Sequence, residues 1–176
     1  MKAVTVTVCG QSPLLMHRFP MEPVQNIEKL APEEQAELAA YRIPGSGNLY
    51  VPGVNMWSSI VEGAAYVKGK GRASMQKPAA ACILVTPEYL DLGTKAYEID
   101  ARPVVVPATK GRVVRYRPRL NEWKLTMQVE WDPTLISDVQ LRQIMDYAGQ
   151  RVGVGDFRPQ KKGPFGRFVV EHWERL

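Results

Sequence analysis

The sequence has few of the residues from which metal centres and disulfide frameworks are built. Its 176 residues include only two cysteines and two histidines, His17 and His172. Cys9 and Cys82 each lie in an apolar run that suits a small buried side chain, so both are expected in the core and no disulfide is predicted. So few and so scattered ligands make no credible zinc site, and no metal or other cofactor is expected.

Long hydrophobic segments are also missing. No stretch reaches the roughly 18 consecutive apolar residues of a membrane-spanning helix. The N-terminus begins with an alternating strand pattern instead of the apolar stretch of a signal peptide. We therefore expect a soluble, cytoplasmic protein with no membrane partner.

The usual signatures of nucleotide binding and catalysis are absent. No G-x-x-x-x-G-K-S/T segment occurs, and Asp156-Phe157-Arg158 after Gly153-Val154-Gly155 breaks the G-x-G-x-x-G pattern. No Ser/His/Asp or Cys/His arrangement can be argued, so nothing in the sequence requires an enzyme. One weak catalytic candidate is His17, which could act as a general acid or base in RNA cleavage. A surface or hydrogen-bonding histidine is the commoner reading of such a residue.

Glycine, basic and aromatic residues are instead concentrated in residues 149–168, which we call the glycine-rich loop. Glycine permits positive φ angles and lets a backbone come close to another molecule. Cations mixed with phenylalanines suit a partner with negative charge and flat faces, which nucleic acid is. The predicted binding residues are Phe157, Arg158, Lys161, Lys162, Phe165 and Arg167, with Gly153, Gly155, Gly163 and Gly166 as backbone-approach glycines. The alternative is a glycine-rich crossover packed on the sheet.

A second basic group precedes this loop. The chain carries 23 Lys and Arg against 18 Asp and Glu, a net charge of +5 that favours acidic partners only weakly. The period of two along residues 111–119 places Arg115, Arg117 and Arg119 on one strand face. Three guanidiniums on one face repel unless an anion lies over them. These arginines are therefore predicted to contact phosphates too.

The hydrophobic pattern predicts the elements of an α+β fold. Residues 2–9 alternate valine and threonine, as a half-buried strand does. A helix is predicted over residues 54–68, and another begins at Ser137, which forms a capping box with Gln140. Further strands are predicted over residues 79–92, over residues 97–106 and from Phe168 onward. Residues 111–119 and 123–131 are predicted to form a central β-hairpin.

Together these elements predict a ferredoxin-like (RRM-like) βαββαβ core in a single domain, residues 1–176. Residues 20–48 are polar and rich in proline, and we expect them to form a surface insertion with a short helix over residues 32–41.

The glycine-rich loop, read as G-V-G-D-F-R-P-Q-K-K-G-P-F-G-R-F before a last strand, resembles the RAMP superfamily, the repeat-associated RNA-binding proteins of CRISPR effector complexes. The stretch Y-V-P-G-V-N-M-W-S-S-I-V-E-G-A is similar to the helix start of their backbone subunits. Residues 1–18 and 112–173 also resemble a family of small phage and prophage proteins, through R-Y-R-P-R-L-N-E-W and A-G-Q-R-V-G-V-G-D-F-R-P.

These resemblances imply RNA binding along the sheet and side-by-side assembly into a homo-oligomer or filament. Val54, Asn55 and Glu62 depart from the backbone-subunit pattern. The leading hypothesis is therefore a non-catalytic phage-type relative that binds single-stranded RNA or DNA with little sequence preference. Two alternatives stay open: a metal-independent ribonuclease that uses His17, and a phage structural or host-inhibiting protein whose loop meets an acidic protein surface.

Overall fold

A computed structural model describes residues 1–176 as a mixed α/β fold with nine strands and four α-helices. The strands are β1 (Lys2–Gly10), β2 (Leu14–Leu15), β3 (Tyr50–Pro52), β4 (Leu84–Thr86), β5 (Tyr89–Asp91), β6 (Glu98–Val105), β7 (Arg112–Leu120), β8 (Lys124–Trp131) and β9 (Phe168–Arg175). The helices are α1 (Pro32–Leu38), α2 (Gly53–Gly63), α3 (Gln76–Cys82) and α4 (Asp138–Tyr147). None of the helices combines the length and the apolar composition needed to cross a membrane.

The main sheet has four antiparallel strands in the order β4-β8-β1-β9. Val4, Val6 and Val8 of β1 are fully buried, while the threonines between them lie on the other face. This alternation confirms the first predicted strand, because a period of two turns every second side chain toward the same layer. The apolar residues of β8 continue the same buried face.

Helices α2 and α4 cover that face and complete the core. The predicted capping box is confirmed: Ser137 and Gln140 bond each other's backbone amides at the start of α4. Gly63 lets the two helices approach closely, because a Cβ there would lie 2.8 Å from the carbonyl oxygen of Ile144. Helix α2 ends at Gly63 and a 3-10 turn follows, so it is shorter than the predicted residues 54–68.

A second antiparallel sheet has the order β2-β7-β6. The prediction that residues 111–119 pair with residues 123–131 was wrong, since β7 and β8 belong to different sheets and the hairpin is formed by β6 and β7. Two acid–base pairs face each other in this hairpin, Glu98 opposite Arg119 and Asp100 opposite Arg117, while Arg102 lies opposite Arg115. The apolar face of β8 is buried instead in the main sheet.

The prediction of one strand over residues 79–92 was also wrong. Helix α3 includes the alanines of this segment, and the short strands β4 and β5 follow it. Alanine is the best helix former, which outweighs the apolar run as a strand signal. The polar segment 20–48 contains α1, which ends at Leu38, three residues earlier than predicted. Ala36 of α1 is fully buried and the helix packs against β7, so this part of the segment joins the fold.

Candidate nucleic-acid interface

The glycine-rich loop leaves α4 through a π-helical turn, Ala148–Val152, and returns to the main sheet as β9. It folds over the β2-β7 edge of the second sheet. The amide of Asp156 donates to the carbonyl of Leu15 in β2 at 2.9 Å, and the amide of Gly166 donates to Pro13 at 2.8 Å. These bonds fix the backbone of the loop against the protein.

The glycines of the loop are explained by this internal packing. Gly155 has a φ of 82°, and a Cβ there would lie 2.5 Å from the carbonyl oxygen of Leu15. Gly166, with a φ of 74°, faces the carbonyl of Val154 in the same way. Gly153 and Gly163 also face atoms of the loop itself. The close approaches are thus to the protein's own backbone, as the alternative of a packed crossover predicts, and a ligand is not needed to explain them.

An ion pair between a buried arginine and a half-buried aspartate ties the loop to the arginine face of β7. The Arg117 side chain is 7% exposed, and its Nη1 donates to Oδ2 of Asp156. Nδ1 of His17 lies 3.5 Å from the same oxygen. Burial alone would raise the pKa of Asp156, but hydrogen bonds from His17 and Arg117 outweigh it and hold the pKa of this carboxyl well below its usual range. The anion over this arginine is therefore the protein's own carboxylate.

Phe165 also packs against the second sheet instead of facing solvent. It is 4% exposed, and the guanidinium carbons of Arg102 and Arg119 lie 4.7 and 5.5 Å from the centre of its ring. Both arginines also pair with Asp100, at 2.8 Å for Arg102 and 3.5 Å for Arg119. The structure thus places Phe165 beneath the surface, where its ring is covered by cation–π contacts and no face is open to a base.

The solvent-facing side of the loop carries cations that have no acidic partner. Lys161, Lys162 and Arg167 are exposed and form no ion pair. Phe157 is 37% exposed, and the centre of its ring lies 6.0 Å from that of Phe165. A 3-10 turn, Pro159–Lys161, follows it and presents the two lysines. This group of three cations and one ring is the part of the predicted site that solvent reaches.

Two predicted arginines lie at the margins of this group. Arg158 is half-buried, and its Nη1 donates to the carbonyl of Gly155 at 3.1 Å, while its Nε and Nη2 bond the side chain of Gln160. Arg115 is half-buried on β7, near Arg18 and His17. No three His, Cys, Asp or Glu side chains lie close enough to hold a metal ion together.

Sequence reasoning missed a cleft of about 180 Å³ between β2, the start of α2 and the glycine-rich loop. Its polar lining comes from His17, Tyr41, Tyr50, Asn55, Asp156 and Arg158. These residues are far apart along the chain, so no motif spacing joins them. One available signal was Asp156, the single acid in an otherwise basic loop.

No protein-family model matches the chain, and no curated protein matches it. A solved structure does: a chain of the cryo-EM structure of the Type III-B Cmr-beta bound to cognate target RNA. The TM-score is 0.59 at 12% sequence identity, and the match covers 99% of this chain. The two chains share a fold. This agrees with the α+β class expected from the sequence, and at this identity the likeness extends to the fold alone. The present chain spans 60% of the length of that neighbour.

Proposed function

We propose that this protein is a non-catalytic, RAMP-like protein that binds single-stranded nucleic acid, RNA in preference to DNA. The observation that carries the proposal is the set of exposed, unpaired cations Lys161, Lys162 and Arg167, together with the exposed ring of Phe157, on a loop that is bonded to β2 and β7. The likeness to a chain from a complex bound to target RNA supports RNA as the partner. The order strand, helix, strand, strand, helix, strand around the main sheet supports a ferredoxin-like core.

In this proposal the exposed residues of the loop contact the nucleic acid, and the buried residues of the loop and of β7 support the loop. Lys161, Lys162 and Arg167 meet backbone phosphates, and Phe157 stacks on a base, a contact of about 1–3 kcal/mol in other proteins. Arg115 and Arg158 add positive charge at the margins. Arg117, Arg119 and Phe165 act indirectly, because they hold the loop on the second sheet. Contacts of these kinds read no base edges, so the binding tolerates many sequences.

The superfamily resemblance also implies that several copies assemble side by side on one strand. Light scattering with and without a long RNA tests this part of the proposal. If the complex at saturating RNA has the mass of one RNA with a single bound chain, this part of the proposal is contradicted.

Purified protein is expected to carry nucleic acid that ribonuclease removes, because unpaired cations retain polyanions at low salt. The measurement is the ratio of absorbance at 260 and 280 nm before and after treatment with ribonuclease or deoxyribonuclease. A ratio lowered by ribonuclease alone supports RNA. Protein that is free of nucleic acid from the first step, and binds none when it is added, instead favours the alternative of a loop that meets an acidic protein surface.

A second candidate function, metal-independent RNA cleavage, is favoured by one observation. His17 is half exposed in the cleft, and Asp156 lies 3.5 Å from its Nδ1, which is the arrangement by which a carboxylate orients an imidazole for general acid or base catalysis. Arg158 lines the same cleft and offers a cation near a reacting phosphate.

The proposed non-catalytic function predicts that labelled single-stranded RNA stays intact in the presence of the wild-type protein and chelator. The matched variant is His17→Asn, which keeps a polar side chain but cannot exchange a proton near neutral pH. Cleavage by the wild type that falls by about 100-fold or more in the variant would establish the ribonuclease instead, since acid–base groups commonly contribute 10²–10⁴-fold.

A further inference from the structure

The cleft beside His17 adjoins a second, serine-lined cavity. The first part, about 180 Å³, is bordered by Tyr41 and Tyr50, whose ring centres lie 5.4 Å apart. The second part, about 160 Å³, runs along α2 and is lined by Asn55, Ser58, Ser59, Val154, Gly155 and Arg158. Asn55, Gly155 and Arg158 border both parts, so the two cavities adjoin each other.

The serine end contains a polar atom that the protein leaves unsatisfied. Ser59 is 3% exposed, and its Oγ has no hydrogen-bond partner. A buried hydroxyl without a partner costs about 1–3 kcal/mol, so it is normally satisfied. Beside it lie the hydroxyl of Ser58, the amide of Asn55 and the guanidinium of Arg158. Hydroxyl donors with one arginine are the groups that bind a phosphate.

The tyrosine end adds an acidic group to the cationic Arg158 that both parts share. This group is the carboxylate of Asp156, which is held ionised by Arg117 and His17. Both partners use Oδ2, and Oδ1 makes no hydrogen bond within the protein. A free carboxylate oxygen repels phosphate and accepts from a hydroxyl, as carboxylates do from ribose in dinucleotide sites. The rings of Tyr41 and Tyr50 supply apolar surface next to it.

We propose that this cleft binds one ribonucleotide of the RNA strand, with its phosphate at Ser58, Ser59 and Arg158 and its ribose hydroxyl on Oδ1 of Asp156. The inference rests on the proposed RNA binding and deepens it. The orientation follows from the donors and the acceptor at the two ends, because the serine hydroxyls lie at one end and the free Oδ1 of Asp156, which accepts from a hydroxyl, lies at the other. The carboxylate also supplies a preference for RNA over DNA, since deoxyribose lacks the 2′-hydroxyl that would donate to it.

The test uses the full chain and three small probes in isothermal titration calorimetry: uridine 5′-monophosphate, its 2′-deoxy analogue and inorganic phosphate. Uridine monophosphate is expected to bind about tenfold more tightly than the deoxy analogue, the usual effect of losing one hydrogen bond to a charged group, and at least about tenfold more tightly than inorganic phosphate, which lacks the ribose and the base. Ser59→Ala is expected to weaken uridine monophosphate binding about tenfold as well. Ser74→Ala, which alters an exposed serine outside the cleft, is the matched control.

Stability separates a binding role from a structural one. Because the Ser59 hydroxyl is unsatisfied in the free protein, Ser59→Ala should leave the thermal unfolding midpoint unchanged or raise it while binding weakens. Equal binding of the deoxy analogue, binding of phosphate alone, or undiminished binding by Ser59→Ala would each overturn the cleft proposal. If single-stranded RNA still binds in those cases, the proposed function stands; if neither RNA nor the mononucleotide binds, both fall.

Discussion

The variant Asp156→Ala is expected to lower the free energy of unfolding by about 3 kcal/mol, the cost of leaving a buried charge without its partner. The charge in question is the guanidinium of Arg117 on β7, which is 7% exposed and pairs with Asp156 of the loop. Its other acidic neighbour, Asp100, is already paired with Arg102 and Arg119. Chemical denaturation at neutral pH measures the change.

The double variant Asp156→Ala/Arg117→Met is the control for this result. Methionine removes the charge and keeps apolar volume, so the double variant should be more stable than Asp156→Ala alone.

The loss of stability in Asp156→Ala should also depend on pH. Since the pKa of Asp156 is lowered in the folded state, its contribution is fully present above the unfolded value of about 3.9 and is lost as the pH falls below it. An Asp156→Ala variant within about 0.5 kcal/mol of wild type at pH 7 would show that the pair does not hold the loop.

The triple variant Lys161→Ala, Lys162→Asn and Arg167→Ala is expected to bind single-stranded RNA about 100-fold more weakly at 50 mM salt, the effect of three lost phosphate contacts. Asparagine is chosen at position 162 because Lys162 has a φ of 62°, which asparagine tolerates better than alanine. The salt slope should fall by about 2, at 0.7 for each contact. Fluorescence anisotropy across a salt series measures both quantities.

The matched control is a triple variant in which three lysines outside the loop are replaced by alanine. These lysines are exposed and form no ion pair: Lys29, Lys77 and Lys95. It loses the same net charge, so a general electrostatic effect would weaken binding equally in both variants. Because the loop cations make no ion pair either, neither triple variant should change the unfolding midpoint by more than a few degrees. Equal loss of affinity in the two variants would remove the loop from the binding surface.

Local signals predicted much of the main sheet and its helices. The alternation in β1 and the capping box of α4 depend on residues a few positions apart, so they can be read directly from the sequence. The partner of β7 could not be read in this way, because β6 and β8 both adjoin it through a short connection and either could form a hairpin with it. The chain in fact passes from one sheet to the other at residues 121–123.

The sequence indicated which residue types form the candidate site, but not which of their side chains are exposed and which are buried. Lys161, Lys162, Arg167 and Phe157 reach solvent. Phe165 and Arg117 do not, since their burial depends on Arg102 and Asp156, which come from other parts of the fold. A basic, glycine-rich composition does not say which of its side chains point inward. The cleft was missed because α2, β2 and the loop form it only when the chain is folded.

The central claim, that the outer side of the glycine-rich loop binds the phosphates of single-stranded RNA, is tested most directly by the salt dependence of wild-type binding between 50 and 200 mM. With Lys161, Lys162 and Arg167 as the main contacts, the logarithm of the binding constant should fall linearly with the logarithm of the salt concentration, with a slope of about −2 or steeper. A flat response over this range, or no binding at 50 mM salt, would contradict the account.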